Sequence, residues 1–86
     1  MRLIAATTEA FTSLAVGTAA LEFNETGTQN TANGAFALVN NTTGSFNTAV
    51  SDNALFRNTI GTENTATGDG ALFSNTTGGF NKSSSI

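Results

Sequence analysis

Six carboxylates, Glu9, Glu22, Glu25, Asp52, Glu63 and Asp69, are the candidates for general acid–base work in this 86-residue sequence, which contains neither His nor Cys. A two-carboxylate site needs its members to face each other at close range. Only Glu22 and Glu25 are near neighbours, and they read as a solvated edge. Asp52 and Asp69 stand seventeen residues apart and are the only aspartates. A calcium-binding glycine-rich roll would want Asp at fixed places in every repeat, so the pair reads as a solvated turn instead of a metal ladder. Lys82 follows no glycine-rich loop that could cradle a phosphate. The sequence therefore points to no enzyme, no cofactor and no metal. Glycosylation sequons begin at Asn24, Asn40, Asn41, Asn75 and Asn81, but they arise from a more general pattern.

That pattern is a repeat of seventeen residues without gaps, from Ser13 to Gln29, Asn30 to Phe46, Asn47 to Glu63 and Asn64 to Phe80. Five columns are identical in all four units: Ala15, Ala32, Ala49 and Ala66; Ala20, Ala37, Ala54 and Ala71; Leu21, Leu38, Leu55 and Leu72; Asn24, Asn41, Asn58 and Asn75; Gly27, Gly44, Gly61 and Gly78. The chain divides accordingly into a segment 1–12 that is a partial or degenerate coil, a repeat region 13–80, and an incomplete fifth repeat 81–86 that should fray.

A unit this short cannot hold two helices and a turn. Asn and Thr runs with glycine disfavour even one helix. Two short strands and two turns fit: a strand at Asn-Thr-Ala, as in Asn47 to Val50, and a second around Ala-Leu, as in Asn53 to Arg57. The Asn-Thr-Thr-Gly segment reads as a turn, with Asn bonding its own backbone and Gly taking a positive φ. Phase-locked columns favour a parallel coil over a meander, because only there do like residues stack on like at one strand spacing. The fold class expected is all-β, a parallel β-roll or β-solenoid of about four 17-residue coils. Asn24, Asn41, Asn58 and Asn75 should then form a ladder of side-chain amides bonded from coil to coil.

Alternation along the second strand would set Leu55 and Leu72 on one side and Ala54, Phe56, Ala71 and Phe73 on the other. Both faces would carry apolar groups. An oligomer turned on a shared axis would bury the outer one, and a wider single-chain coil is the alternative. Phe36, Phe46, Phe56, Phe73 and Phe80 are the candidate interface or binding residues; Phe46 and Phe80 share a column with Gln29 and Glu63. Threonine columns at Thr31, Thr48 and Thr65 and at Thr26, Thr43 and Thr77 could suit ice, but Leu14 and Ile60 interrupt them.

The run Asn-Thr-Ala-x-Gly-x-x-Ala-Leu-x-x-Asn-Thr-Thr-Gly, complete in Asn64 to Gly78, resembles the head repeats of trimeric autotransporter adhesins and the related repeats of phage tail fibres. The resemblance covers Ser13 to Asn81. It implies a left-handed parallel β-roll, a homotrimer, and binding to a host matrix protein or glycan, with a structural spacer as the alternative role. It also implies a place on the cell surface or outside the cell as part of a longer chain, or on a phage virion. The family has shorter coils with an Ala-Ile-Gly triplet, where this chain reads Ala15-Val16-Gly17, Ala32-Asn33-Gly34, Ala49-Val50-Ser51 and Ala66-Thr67-Gly68.

Composition sets the remaining bounds. Leu, Ile, Val and Phe number 19 of 86 residues against 43 of Thr, Asn, Gly and Ser, so one chain has little apolar surface to bury. Three basic residues against six acidic ones leave no footprint for nucleic acid. The opening Met1 to Ala6 begins like a signal peptide, but Thr7, Thr8 and Glu9 break its apolar run, and no window is long enough to insert in a membrane as a helix. An internal piece of a longer chain is the expected explanation.

Overall fold

A computed structural model of the chain describes residues 3–6 and 12–85. Among these residues six short strands form one sheet in chain order: β1 Leu3–Ala6, β2 Ser13–Val16, β3 Thr31–Asn33, β4 Thr48–Val50, β5 Thr65–Thr67 and β6 Lys82–Ser83. Strands β2 to β6 are parallel, and their partners lie seventeen residues apart: Ala15 opposite Ala32, Ala32 opposite Ala49, Ala49 opposite Ala66 and Ala66 opposite Ser83. Strand β1 runs the other way, setting Leu3 opposite Val16 and Ala6 opposite Ser13. The result is an all-β, solenoid-like repeat fold.

Each central strand is a Thr-Ala-x triplet in which only the alanine points inward. Period-two alternation puts the flanking Thr31 and Asn33, Thr48 and Val50, and Thr65 and Thr67 on the outer face. The interior is thin. Ala15, Ala20, Ala32, Ala37, Ala49, Ala54, Ala66 and Ala71 join Leu21, Leu38 and Leu55 in one core, with Leu72 half-buried at its end.

The expected second strand is absent. Around every Ala-Leu pair the backbone makes consecutive turns, closed in the first repeat by Ala20 N–H to Gly17 O (3.3 Å), Glu22 N–H to Ala19 O (3.2 Å) and Asn24 N–H to Leu21 O (3.2 Å). Leu21, Leu38, Leu55 and Leu72 all take left-handed φ values, from 52° to 54°. The left-handed region costs an L-residue roughly 1–2 kcal/mol, and burying a leucine returns about 1.5–3 kcal/mol. The leucine is therefore held in the turn by what its side chain gains inside. Strand alternation does not apply here: Ala54 and Leu55 are both fully buried in the same core. The opposition of a leucine face and an alanine–phenylalanine face disappears with the strand, and so does the argument for an oligomer that rested on it.

The turns are tied to the neighbouring repeat as well as to themselves. Leu21 N–H donates to Ala37 O (3.1 Å), Leu38 N–H to Ala54 O (3.0 Å) and Leu55 N–H to Ala71 O (2.9 Å). Further along, the three consecutive amides of Thr42, Thr43 and Gly44 converge on the carbonyl of Thr59 at 2.9, 3.2 and 3.2 Å. The same convergence recurs from Glu25, Thr26 and Gly27 onto Thr42 O, and from Thr59, Ile60 and Gly61 onto Thr76 O.

The asparagine ladder forms. Asn41 Nδ2 donates to Asn24 Oδ1, Asn58 Nδ2 to Asn41 Oδ1 and Asn75 Nδ2 to Asn58 Oδ1, each at 2.9 Å. A second ladder, at the residue before each central strand, went unnoticed in the sequence. Asn47 N–H donates to Asn30 Oδ1 (3.0 Å), Asn64 N–H to Asn47 Oδ1 (3.0 Å) and Asn81 N–H to Asn64 Oδ1 (3.1 Å). Both ladders also donate to the glycine carbonyls, as when Asn41 and Asn30 both reach Gly44 O at 2.9 Å. Among the described residues no buried side-chain nitrogen or oxygen lacks a partner, which lets so polar an interior exist at all.

The glycine following this turn has a different reason from the one expected. Gly27, Gly44, Gly61 and Gly78 are not in the positive-φ region. A Cβ on Gly44 would collide with the carbonyl oxygen of Gly61 and lie 2.6 Å from Asn41 Oδ1, so close packing between repeats demands the missing side chain. Positive φ is instead required at Gly17, Gly34 and Gly68, and in that column Ser51 adopts it at 101°.

Candidate functional site

The described carboxylates lie at the surface, Glu22 among them. Glu25, Asp52, Glu63 and Asp69 are exposed, and Glu9 lies outside the described residues. The two aspartates serve neighbouring turns: Asp52 Oδ1 accepts the Ala35 N–H at 3.0 Å, and Asp69 Oδ1 accepts the Ser51 hydroxyl at 2.9 Å. Among the described residues no group of three or more His, Cys, Asp or Glu could hold a metal ion.

The candidate phenylalanines separate into two sets. Phe46 and Phe80 end their repeats, 51% and 76% exposed, in a column whose members Gln29, Phe46, Glu63 and Phe80 all have φ near +55° to +60°. Each amide in the last three points back to the preceding repeat, Phe46 N–H to Thr28 O, Glu63 N–H to Ser45 O and Phe80 N–H to Thr62 O. The ring is left to project. Phe36, Phe56 and Phe73 lie together at the turn edge. Phe56 and Phe73 stack with centroids 4.8 Å apart and planes 6° from parallel, and Phe36 tilts against Phe56 at 6.3 Å.

Beside this aromatic edge runs an open groove of about 500 Å³, lined by Phe23, Asn40, Thr42, Phe56, Arg57 and Thr59. Its residues come from three successive repeats. Phe23, Asn40 and Arg57 occupy one column, directly before Asn24, Asn41 and Asn58 of the ladder; Thr42 and Thr59 directly follow that ladder. The ladder asparagines thus separate the two rows that line the groove.

Several donors of the groove are already committed. Asn40 Nδ2 donates to Phe56 O at 2.9 Å, the Thr42 hydroxyl to Thr59 O at 3.2 Å and the Thr59 hydroxyl to Thr76 O at 3.4 Å. Arg57 is exposed, its guanidinium carbon 5.7 Å from the centroid of the Phe73 ring, within cation–π range. Of the groove residues, sequence reasoning names Phe56 as a candidate interface or binding residue and Asn40 only as the start of a sequon. A usable signal did exist: the column of Phe23, Asn40, Arg57 and Ser74 has a different residue in every repeat, immediately before an invariant asparagine.

A second groove, lined by Thr12, Ser13, Leu14, Gln29, Asn30 and Thr31, carries no charged group. No helix among the described residues is long and apolar enough to cross a membrane. Comparison with protein-family models, with curated proteins and with solved structures finds no match for this chain.

Proposed function

We propose that this chain is a non-catalytic, surface-exposed segment of a larger trimeric protein that adheres to a host matrix protein or glycan. In this reading the sheet and its turns are four 17-residue coils of a left-handed β-roll, like the adhesin heads and fibre repeats that the sequence resembles. The observation that carries it is the contrast between interior and surface. Alanine, leucine and asparagine ladders repeat inside almost unchanged, while unlike side chains, aromatic, amide and cationic, line one groove outside. Such a division suits a rigid display scaffold.

The trimer rests on the exposed rings. Phe46 and Phe80 project from a chain whose own core is built mostly of alanine, and exposed apolar residues are what a shared axis would cover. The test is sedimentation equilibrium of the purified chain followed by binding of the assembled species to immobilised matrix proteins and glycans. A trimer that adheres is expected. A folded monomer that adheres to neither would replace this reading with a structural spacer.

A further inference from the structure

We propose that the groove beside the aromatic edge binds a carboxylated sugar, with Arg57 pairing the carboxylate and Phe23 and Phe56 flanking the ring. This deepens the adhesive reading and rests on it, since it names the chemistry that such a surface would recognise.

The donor–acceptor pattern of the groove carries the inference. Both threonine hydroxyls direct their protons to main-chain carbonyls, Thr42 to Thr59 O and Thr59 to Thr76 O. What each oxygen has left for a ligand is acceptor capacity. Asn40 spends one amide proton on Phe56 O and keeps its carbonyl oxygen and its second amide proton. Three acceptors in a row, with one amide proton among them, call for a ligand rich in hydroxyl groups, which donate and accept alike. Polyhydroxylated rings meet that demand, whereas an extended peptide offers only its sparse backbone amides.

Two further features narrow the class. Phe23 is 55% exposed and Phe56 stands half-buried at the groove wall, so both present apolar surface to the hydrogens of a sugar ring. Arg57 is the one cationic side chain of the groove, in a chain of formal charge −3. Its planar donors match a carboxylate in a bidentate pair. Phe73 beneath the guanidinium restrains it, which lessens the ordering cost of binding. The carboxylate of Glu25 shares the column of Thr42 and Thr59 but belongs to the first repeat, two repeats away from Arg57. The anionic group of the ligand is therefore placed at the Arg57 end.

The experiment is a titration of the intact chain with galacturonic acid trisaccharide and, in parallel, with neutral maltotriose, followed by amide and side-chain NMR shifts. Saturable shifts are expected for the trigalacturonate at Asn40, Thr42, Phe56, Arg57 and Thr59, with maltotriose at least about tenfold weaker, the loss set by a missing charge-assisted hydrogen bond. Arg57→Gln should weaken trigalacturonate binding by a similar factor and leave the weak maltotriose binding unchanged. Asp52→Asn, away from the groove, should alter neither and controls for folding. Equal binding of both sugars, or binding indifferent to Arg57→Gln, would overturn the assignment of the carboxylate. Absence of shifts with both sugars, in a chain whose assembled form still adheres to matrix protein, would overturn the sugar site while sparing the adhesive role. Failure of both measurements would remove both.

Discussion

The side-chain amide of Asn58 reaches Oδ1 of Asn41 at 2.9 Å and the carbonyl of Gly61 at 3.1 Å. One buried nitrogen thus joins two repeats and closes its own turn. Its Oδ1 in turn accepts from Asn75 at 2.9 Å, so the residue is bonded on both sides of the stack.

Asn58→Ala should destabilise the chain by about 3 kcal/mol, because it strands the buried partners it leaves behind. Asn24→Ala, at the half-buried end of the ladder, should cost about 1 kcal/mol. Urea denaturation of the two variants measures the difference, and equal losses would contradict the ladder. Asn58→Asp adds a sign. A buried carboxylate facing carbonyl oxygens has its folded-state pKa raised, so the stability of that variant should be greatest in acid and fall as the pH rises toward neutrality.

Gly44→Ala should destabilise by roughly 3 kcal/mol or prevent folding, since its methyl group would overlap the carbonyl of Gly61. Ser51→Gly should do the reverse. It relieves a φ of 101° at the loss of one exposed hydrogen bond to Asp69, for a net gain of about 0.5 kcal/mol. Thermal melts read both, and a loss on Ser51→Gly would mean that the Asp69 bond outweighs the backbone strain.

Phe80→Asn separates the single chain from its assembly. Asparagine tolerates left-handed φ better than phenylalanine does, and the ring at φ 59° is 76% exposed. If the ring stays in water, the variant should gain a few tenths of a kcal/mol up to about 1 kcal/mol. If the ring is buried in a trimer, the assembled species should dissociate and its melting temperature should drop. Sedimentation and melting at several protein concentrations distinguish the outcomes, and the trimer reading expects the second.

Calcium or a chelator should leave the melting temperature where it is. The Asp52 and Asp69 carboxylates already accept hydrogen bonds from Ala35 N–H and from the Ser51 hydroxyl, and among the described residues no third acidic ligand joins them. A rise in melting temperature with calcium, reversed by chelation, would show that the aspartate turns hold a metal.

Recurrence of Ala, Leu, Asn and Gly at seventeen residues was enough to set the parallel register, Ala32 opposite Ala49 and Ala49 opposite Ala66, because only stacked counterparts can keep unlike neighbours in phase. The Asn-Thr-Ala strand and the ladder from Asn24 to Asn75 were legible for the same reason. Leu55 was not. Its place beside Ala54 and Phe56 has the composition of a strand, yet the fold sets it at φ 54° because a left-handed turn buries its side chain against neighbouring repeats. The column of Gly44 was visible as invariant, but its cause, the approach of the Gly61 carbonyl, exists only once repeats are stacked. The groove is likewise a tertiary product. Phe23, Asn40 and Arg57 are far apart along the chain, and stacking at the spacing of β-strands brings them to one surface.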